Sequence, residues 1–477
     1  MIIGKPLPFV SAFVDAIDAA IGEHSPGQGM SALQRAWLSF CLTAILVTNS
    51  ICWARFERAS LGTYSLAALA WMFRHAKIPW EHLLVASVRV VLEHHGITSG
   101  TLVIDDSDKK RSKSAKALAH LYKLRDKESG GYLWGQTLVF LVFVTAKLTI
   151  PIGFTFYKPA PELSAWYKQE RARKQQGVAT SPRLPKPPPN PQYPTKQELA
   201  LRLLQQCKDH HPALRIHCVT ADALYGSATF VEAASAIFGG VQVISQIRSN
   251  QKVRVYTREQ PVADYFATHP GTPQHIRIRG GEEMMAIVGS ARMYVCAHKT
   301  KRFILALKYE DEATYRYLMA SDLSWRTLDI VQGYTLRWLV EVFVQDWKSH
   351  EGWNQLTKQP GPEGARRSVI LSLLVDHGLF FHPDQHVQLK NNLPAYTVGS
   401  LRANVPVECL VDVMQSLVSS DDPQGQWHRF TQTLAEVFTL GRSTKHMSQR
   451  QLGRLEPTPS LQYRADEVMR NMPILST

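Results

Sequence analysis

Cysteine is scarce: six residues in a chain of 477 (Cys41, Cys52, Cys207, Cys218, Cys296 and Cys409), with no Cys-x2-Cys pair among them. So sparse a set excludes a disulfide framework or a zinc ribbon and fits a reducing compartment, so a cytosolic protein is expected. Long hydrophobic runs are missing too. The one uncharged stretch of membrane length, Ala36 to Ala54, is interrupted by Ser39, Thr43, Thr48, Asn49 and Ser50, the pattern of a buried helix and not of a membrane span. The opening MIIGKPLPFVSAF has no basic segment followed by an apolar one, so no signal peptide is expected. Acidic residues are in deficit, 40 against 54 Lys and Arg, which leaves a net charge of +14. The polyanion that such a field most commonly meets inside a cell is nucleic acid. An anionic membrane is the competing partner, but the proline-rich segment that would anchor there has no amphipathic apolar face.

With 45% hydrophobic and 20% charged residues, the composition is ordinary for a globular chain, and the length allows a large core without staples. Residues 1–98 read as α-helical, with apolar residues recurring at three- and four-residue spacing through LQRAWLSFCLTAILV, SLAALAWMFRHA and WEHLLVASVRVVLEHHG. At Gly100 the texture changes to the β-branched runs TLVIDD, YLWGQTLVFLVFVTA and LTIPIGFTFY, which predict three consecutive strands. Residues 168–197, with the run PRLPKPPPNPQYP, read as an extended basic excursion. A helix (KQELALRLLQQCKDHH), a strand (RIHCVTAD), a helix (TFVEAASAIF) and a strand (VQVISQI) complete the order β-β-β-α-β-α-β over 99–247. That is the core order of a ribonuclease H-like α/β fold. Residues 248–320 are β-rich and polar and are expected to be an insertion; 321–352 would return with the last core helix, GYTLRWLVEVFVQDWKSH; and 353–477 read as a helical C-terminal region with a basic tail.

The last core helix carries the strongest chemical signal. At 100° per residue, Arg337, Glu341 and Lys348 fall at about −60°, −20° and −40° from Tyr334, so the four share one stripe of a helix that is otherwise apolar almost all round. An Arg337–Glu341 pair at i, i+4 would by itself be an ordinary surface feature, but a charged stripe on a helix fit for burial needs a partner. Asp105 and Asp106 end the apolar run TLVIDD, and Asp222 follows RIHCVTA ahead of a sharp turn that Gly226 permits. Turn-forming Asp residues would look the same. Either member of the first pair could be the functional acid, since strand alternation puts them on opposite faces; Asp105 is preferred because it directly ends the apolar run. In this strand order the first and fourth strands are neighbours and the last helix crosses beside them, so Asp105, Asp222 and Glu341 would converge. Converging carboxylates suit Mg2+ and Mn2+ in two-metal phosphoryl transfer. Cys207, His210, His211, His217 and Cys218 are irregularly spaced for zinc, and His120 is unnecessary as a base beside two metal ions; both are read as structural.

The spacing Tyr334-x2-Arg337-x3-Glu341-x6-Lys348 resembles the signature of bacterial insertion-sequence DDE transposases of the insertion-sequence-four superfamily. Asp222-Ala-Leu-Tyr-Gly226 resembles that family's second-acid motif, Ile104-Asp105-Asp106-Ser107 its first, and the β-rich stretch before Glu341 its insertion. The resemblance implies a cut-and-paste DNA transposase, a metal-dependent nuclease and strand transferase. In it Asp105, Asp222 and Glu341 would hold two Mg2+ ions, with Mn2+ able to substitute, and Tyr334, Arg337 and Lys348 would bind phosphate oxygens beside the scissile bond. It further implies an N-terminal region that reads the element's ends, with Arg35, Arg55, Arg58 and Arg74 as candidates. The partners would be double-stranded DNA, both element ends and target, and a second copy in a synaptic homodimer on the nucleoid, with no membrane involved. Further candidate DNA contacts are Lys109, Lys110, Arg111, Lys113 and Lys116, then Arg171, Arg173, Lys174, Arg183 and Lys186, and Arg248, Lys252 and Arg254 alternating along one strand, with solvated faces as the alternative; Trp338 is a further candidate, but a core position is the preferred reading for it. The competing functions are a nuclease of the same fold that joins no strands, and a transposase-derived DNA-binding protein without activity. The intact acids and phosphate-binding trio speak against the second.

Overall fold

Five helices open the chain: α1 (Pro8–His24), α2 (Ala32–Thr48), α3 (Trp53–Ala59), α4 (Leu66–His75) and α5 (Trp80–His94). The computed structural model describes residues 3–111, 118–126, 129–176, 184–277, 283–310, 312–353 and 359–438. Lys113, Lys116, Arg183, the side chain of Lys174 and the basic tail from Arg442 lie outside them. Ser31 starts α2 in a reciprocal capping box with Gln34, and Asn49, in the left-handed region, ends it. The uncharged run therefore breaks into a buried helix and a second one bent by 92° from it, and no single described helix is long and apolar enough to cross a membrane.

The sheet follows. β1 (Ser99–Arg111), β2 (Tyr122–Arg125), β3 (Tyr132–Val144) and β4 (Thr149–Tyr157) precede α6 (Pro161–Gln175), α7 (Lys196–His210), β5 (Arg215–Ala221), α8 (Ala228–Ile237) and β6 (Gln242–Ile247). β4, β3, β1, β5 and β6 lie side by side in that order, β3 antiparallel to its neighbours and β5 parallel to both of its own. This is the ribonuclease H-like order, with α7 and α8 where the sequence placed them. Two expectations need correction. β1 does not end at its acids, because Asp108 to Arg111 continue to pair with Thr137 to Trp134 of β3. The segment from residue 168 is helical as far as Gln175, since its prolines begin only at Pro182 and WYKQERARKQ contains no helix breaker.

Next come β7 (Lys252–Val255), β8 (Arg258–Pro261), α9 (Val262–Thr268), β9 (Thr272–Arg277), β10 (Glu283–Val295), β11 (Thr300–Tyr309) and β12 (Arg316–Ala320). Among the described residues they form no sheet of their own: β12 pairs antiparallel with β6, and β11 and β10 follow, so one sheet of 12 described strands runs through the core and the β-rich stretch. α10 (Thr327–Thr335) and α11 (Trp338–His350) then replace the single helix expected from Tyr334. At their junction the hydrogen bonds tighten to i−3, from Arg337 N to Tyr334 O at 3.0 Å and from Val340 N to Arg337 O at 3.1 Å, which interrupts the α-helical ladder. α12 (Gly361–Leu379), α13 (Pro383–Lys390) and α14 (Val398–Val418) complete a first compact unit, Met1–Ser419. α15 (Pro423–Val437) belongs to a second, Ser420–Thr477, and is capped by the Asp422 carboxylate, which accepts from Gly425 N at 2.9 Å.

Alternate side chains of β1 join two different cores. Leu102 and Ile104 pack with Val139, Leu141 and Phe143 in the core shared by α1, α2, α5 and α7, so the N-terminal helices are continuous with the sheet. Val103 packs with Leu138, Phe140 and Val142 beneath Phe343 and Trp347 of α11 and Leu373 of α12. Trp347 is fully buried between Phe140, at 5.0 Å, and Trp353, at 4.3 Å; truncating it to Ala would cost about 3–5 kcal/mol. It thereby fixes α11 over β1. Val103 thus lies on the α11 face of β1, and Leu102 and Ile104 lie on the face shared with α7.

Candidate active site

That alternation separates the two neighbouring acids. Asp105 follows Val103 onto the α11 face, where its Oδ2 accepts from Arg337 Nη1 at 3.0 Å and its Oδ1 accepts from the backbone of Asp106 at 2.8 Å. Asp106 meets Lys196, the first residue of α7, whose Nζ donates to its Oδ2 at 2.6 Å. Arg337 also donates through Nη2 to Oε1 of Glu341 on α11 at 2.7 Å. One guanidinium thus joins an acid of the central strand to an acid of the last core helix. Asp105, Asp106, Glu341 and Lys348 line one cleft of about 360 Å³, together with Val344, Gln345 and Ser349. Lys196 was not foreseen; its only sequence signal is the Thr195–Glu198 capping box that starts α7 one residue before it.

Asp222 reaches the same end of the sheet because β1 and β5 run parallel with Ile104 opposite Ala221, so each acid is the next residue along. Its Oδ1 accepts from Leu224 N at 2.8 Å, capping a short 3-10 turn, and its carbonyl accepts from Ser245 Oγ at 2.8 Å. Gly226 is required by close approach and not by backbone freedom: its φ is −83°, but a Cβ there would meet the Gln246 carbonyl at 2.9 Å.

Burial pushes Asp105 up to about 6, with Arg337 and the Asp106 backbone opposing and Asp222 adding to the rise. Asp222 is raised as well, by burial and then by Asp106, against the Leu224 backbone, Arg337 and Lys196. Burial works against the charge on Arg337, but Tyr334, Asp105 and Glu341 outweigh it and hold the guanidinium protonated. Behind the acids, Tyr225 is fully buried and its hydroxyl has no hydrogen-bond partner among the described residues. Lys109 shares the α11 face of β1, is 8% exposed, and is brought down to about 8 by burial, Arg111 and Lys348. Burial also lowers Lys348, with Asp108 opposing. Acids therefore gather at one end of this face of β1 and lysines further along it.

Carboxylates are hard oxygen donors suited to Mg2+ or Mn2+. The oxygens of Asp105, Asp222 and Glu341 do not all lie within 4.8 Å of one another. Between Asp105 and Glu341 the Arg337 guanidinium stands in the position a cation would take. The donor set fits divalent ions, with the arginine as their stand-in.

Several expected residues lie elsewhere. Tyr334 is not on the stripe of Arg337, Glu341 and Lys348, because the break after α10 removes it: it is 3% exposed, its hydroxyl donates to Gln246 Oε1 at 3.2 Å, and Arg337 sits over its ring at 5.7 Å. Trp338 is 57% exposed and not part of the core. In the basic run, Lys110 pairs with Asp126 at 3.0 Å, and Arg111 donates to Gln136 Oε1 at 2.9 and 2.8 Å while lying over Trp353; continued strand pairing turns these side chains into sheet contacts. Arg248 precedes β7, so only Lys252 and Arg254 alternate along that strand, the latter over Tyr294 at 4.3 Å. Arg171 donates to Tyr132 Oη at 2.5 Å, Arg173 pairs with Glu170 at 3.4 Å, and Arg35 pairs with Asp15 and Asp18. Among the described residues, the Cys207 to Cys218 set forms no ligand cluster.

A family model of DDE superfamily endonucleases matches residues 29–285, a span that contains Asp105 and Asp222 and ends before Arg337. Among solved structures the chain is similar to a piggyBac transposase synaptic complex with hairpin DNA, at 11% identity and a TM-score of 0.42 over 95% of this chain and 89% of that one. It is also similar to the NurA nuclease from Sulfolobus solfataricus, at 9% identity and a TM-score of 0.22 over 51% of this chain and 78% of that one. No curated protein matches.

Proposed function

The chain belongs to the DDE superfamily of endonucleases, and from that premise we propose that it is a cut-and-paste DNA transposase, which cleaves the ends of a mobile element and joins their 3′-hydroxyls to target DNA. The observation that carries this reading is the bridge from Asp105 through Arg337 to Glu341, with Lys348 on the same cleft. A surface ion pair would need neither the buried strand acid nor the second cation. The spacing of Tyr334, Arg337, Glu341 and Lys348 supports placement in the insertion-sequence-four superfamily. The net charge of +14 supports double-stranded DNA as partner, bound by a homodimer holding two ends on the nucleoid.

Asp105, Asp222 and Glu341 would hold two Mg2+ ions, which when bound make a hydroxyl a better nucleophile at neutral pH and offset charge on the leaving oxygen. The chain's own residues bind and orient. Arg337, propped by the Tyr334 ring, offers a planar fork to two phosphate oxygens once it leaves the carboxylates. Lys348 and Lys109 provide positive charge for a neighbouring phosphate, and the exposed Trp338 ring offers a stacking surface to a base. Tyr334 acts through the arginine and not on the phosphate.

The test is incubation of the purified protein with a linear duplex carrying the DNA that flanks its gene, in Mg2+, Mn2+ or EDTA, beside Glu341→Gln and Asp222→Asn. Metal-dependent cuts at two element ends, absent in both variants, followed by joining of the 3′-ends, are expected. Cuts without joining would make it a nuclease, and specific binding without cuts a DNA-binding derivative.

A further inference from the structure

Three histidines meet away from the acids, where α5 ends beside α13. His94 and His95 close α5, and His386 lies in α13. His94 Nε2 and His386 Nδ1 are 3.2 Å apart, and one ring nitrogen of each of the three lies within 4.8 Å of the other two. The arrangement is built from several sides. The His94 ring stacks on Phe381 at 4.3 Å, and His95 Nε2 lies 3.1 Å from the Phe380 carbonyl. Gly96, at φ +61°, ends the helix, and Ile97 N returns to Leu92 O at 2.8 Å.

A single N–H can satisfy the facing nitrogens of His94 and His386, and the Phe380 carbonyl holds His95 beside them. We propose that His94, His95 and His386 form a binding site for a divalent transition-metal ion of the zinc class. Imidazole nitrogen is the donor such ions favour, and three histidines with a fourth position open to water is an established coordination pattern. Tetrahedral bonds of about 2.0–2.1 Å put ligand nitrogens about 3.3 Å apart, close to the 3.2 Å that separates His94 Nε2 from His386 Nδ1, and the third ring has a nitrogen within 4.8 Å of both. The carbonyl of Phe380 takes one N–H of His95 and leaves the lone pair on the other nitrogen, the outer contact that metal-bound histidines commonly make. Lys147, whose positive charge acts on His95, is the adverse element. A bound ion would tie the end of α5, immediately ahead of β1, to α13 of the C-terminal helices. The proposal is independent of the DNA chemistry.

The metal-stripped full-length chain, titrated with Co2+ and followed by visible absorption, tests it. One equivalent with the intense spectrum of a tetrahedral site is expected, displaced by Zn2+. It should be unchanged in Glu341→Gln and weakened about 100-fold or more in His386→Asn and in His94→Gln. Both substituted rings are exposed, and His386→Asn leaves the His94–Phe381 stack in place. Zn2+ should also raise the Tm of the wild type but not of His386→Asn. Absence of the tetrahedral spectrum, equal affinity in the histidine variants, or loss of the signal in Glu341→Gln would each overturn the proposal.

Discussion

Replacing Arg337 with methionine removes the guanidinium but keeps a side chain of similar length over Tyr334, and it should destabilise the metal-free protein by about 2 kcal/mol. The bond to Asp105 joins side chains that are 11% and 18% exposed, a setting in which a hydrogen bond between charged groups contributes about 1.5–3 kcal/mol. The Glu341 side chain is 41% exposed, so screening limits that bond to about 0.5 kcal/mol. Relief of the arginine's own desolvation offsets part of the sum. The acids would then be short of positive charge, and a divalent ion would no longer compete with the guanidinium for Asp105 and Glu341. Urea denaturation in EDTA and in excess Mg2+ measures both effects: the variant should start lower and gain more from Mg2+, up to about 2.7 kcal/mol at a hundredfold excess over Kd. Cleavage should not return with the stability, since the fork proposed to hold phosphate is gone. A variant within about 0.5 kcal/mol of wild type in EDTA, the noise of a surface substitution, would refute the reasoning. So would an equal gain from Mg2+ in the two proteins.

Stability in EDTA should fall as pH rises from about 4 towards 8, because of the buried carboxyls Asp376 and Glu351. Burial, and then Asp346, push Asp376 up to about 8, and Glu351 is raised by burial with Asp376 and Asp346 beside it. The folded state keeps a proton that the unfolded chain releases near pH 4. Its contribution is therefore complete below that pH and is lost as pH climbs through the folded value. Asp376→Asn should flatten the slope in denaturation series across this range, and an unchanged slope would show that the pair is not protonated as described. Lys348→Ala should slow cleavage more than it weakens overall DNA binding, whereas equal losses would mark a general backbone contact. Trp338→Ala should weaken binding of single-stranded flanking DNA by about 1–3 kcal/mol with an unchanged Tm, and a fall in Tm without loss of affinity would return the ring to a packing role.

Much of the fold was legible because its elements are locally consistent. The apolar run TLVIDD, the capped helix KQELALRLLQQCKDHH and the alternation in VQVISQI each support one structure only, and their order matches the sheet order. What escaped depends on partners distant in sequence. SDKKR carries no strand signal, yet it extends β1 because β3 is long enough to pair with it as far as Trp134. The β-rich stretch looked like an insertion, and whether it stands apart or continues the sheet depends on the β12–β6 pairing, which leaves no local mark. The helix through Trp166 was missed because prolines further along coloured the reading of the whole segment.

The candidate site was legible in the residues that line its cleft and less so in its geometry. Period-two alternation separates Asp105 from Asp106, but which of them meets α11 depends on which core Val103 joins, a matter settled by α11 and α12 more than two hundred residues away. The hundred-degree rule assumes an unbroken ladder, and nothing in GYTLRWLV announces the tightening at Leu336 and Arg337. That break moves Tyr334 out of the cleft and places Arg337 at the N-cap of α11, where a positive charge meets the positive end of the helix dipole at a cost of about 0.3–1 kcal/mol. Local preference would put an acid there, as it does with Glu341 in the first turn. A cation held at the disfavoured end, bonded to an acid of the central strand, is a conflict between local and global structure of the kind that concentrates at functional sites. The same conflict gives the arginine a reason to move, because a phosphate outside the helix start would draw it away from the carboxylates and leave them to a metal ion. Cleavage-competent DNA and Mg2+ should therefore each strengthen the other's binding, and the coupling should vanish in Arg337→Met.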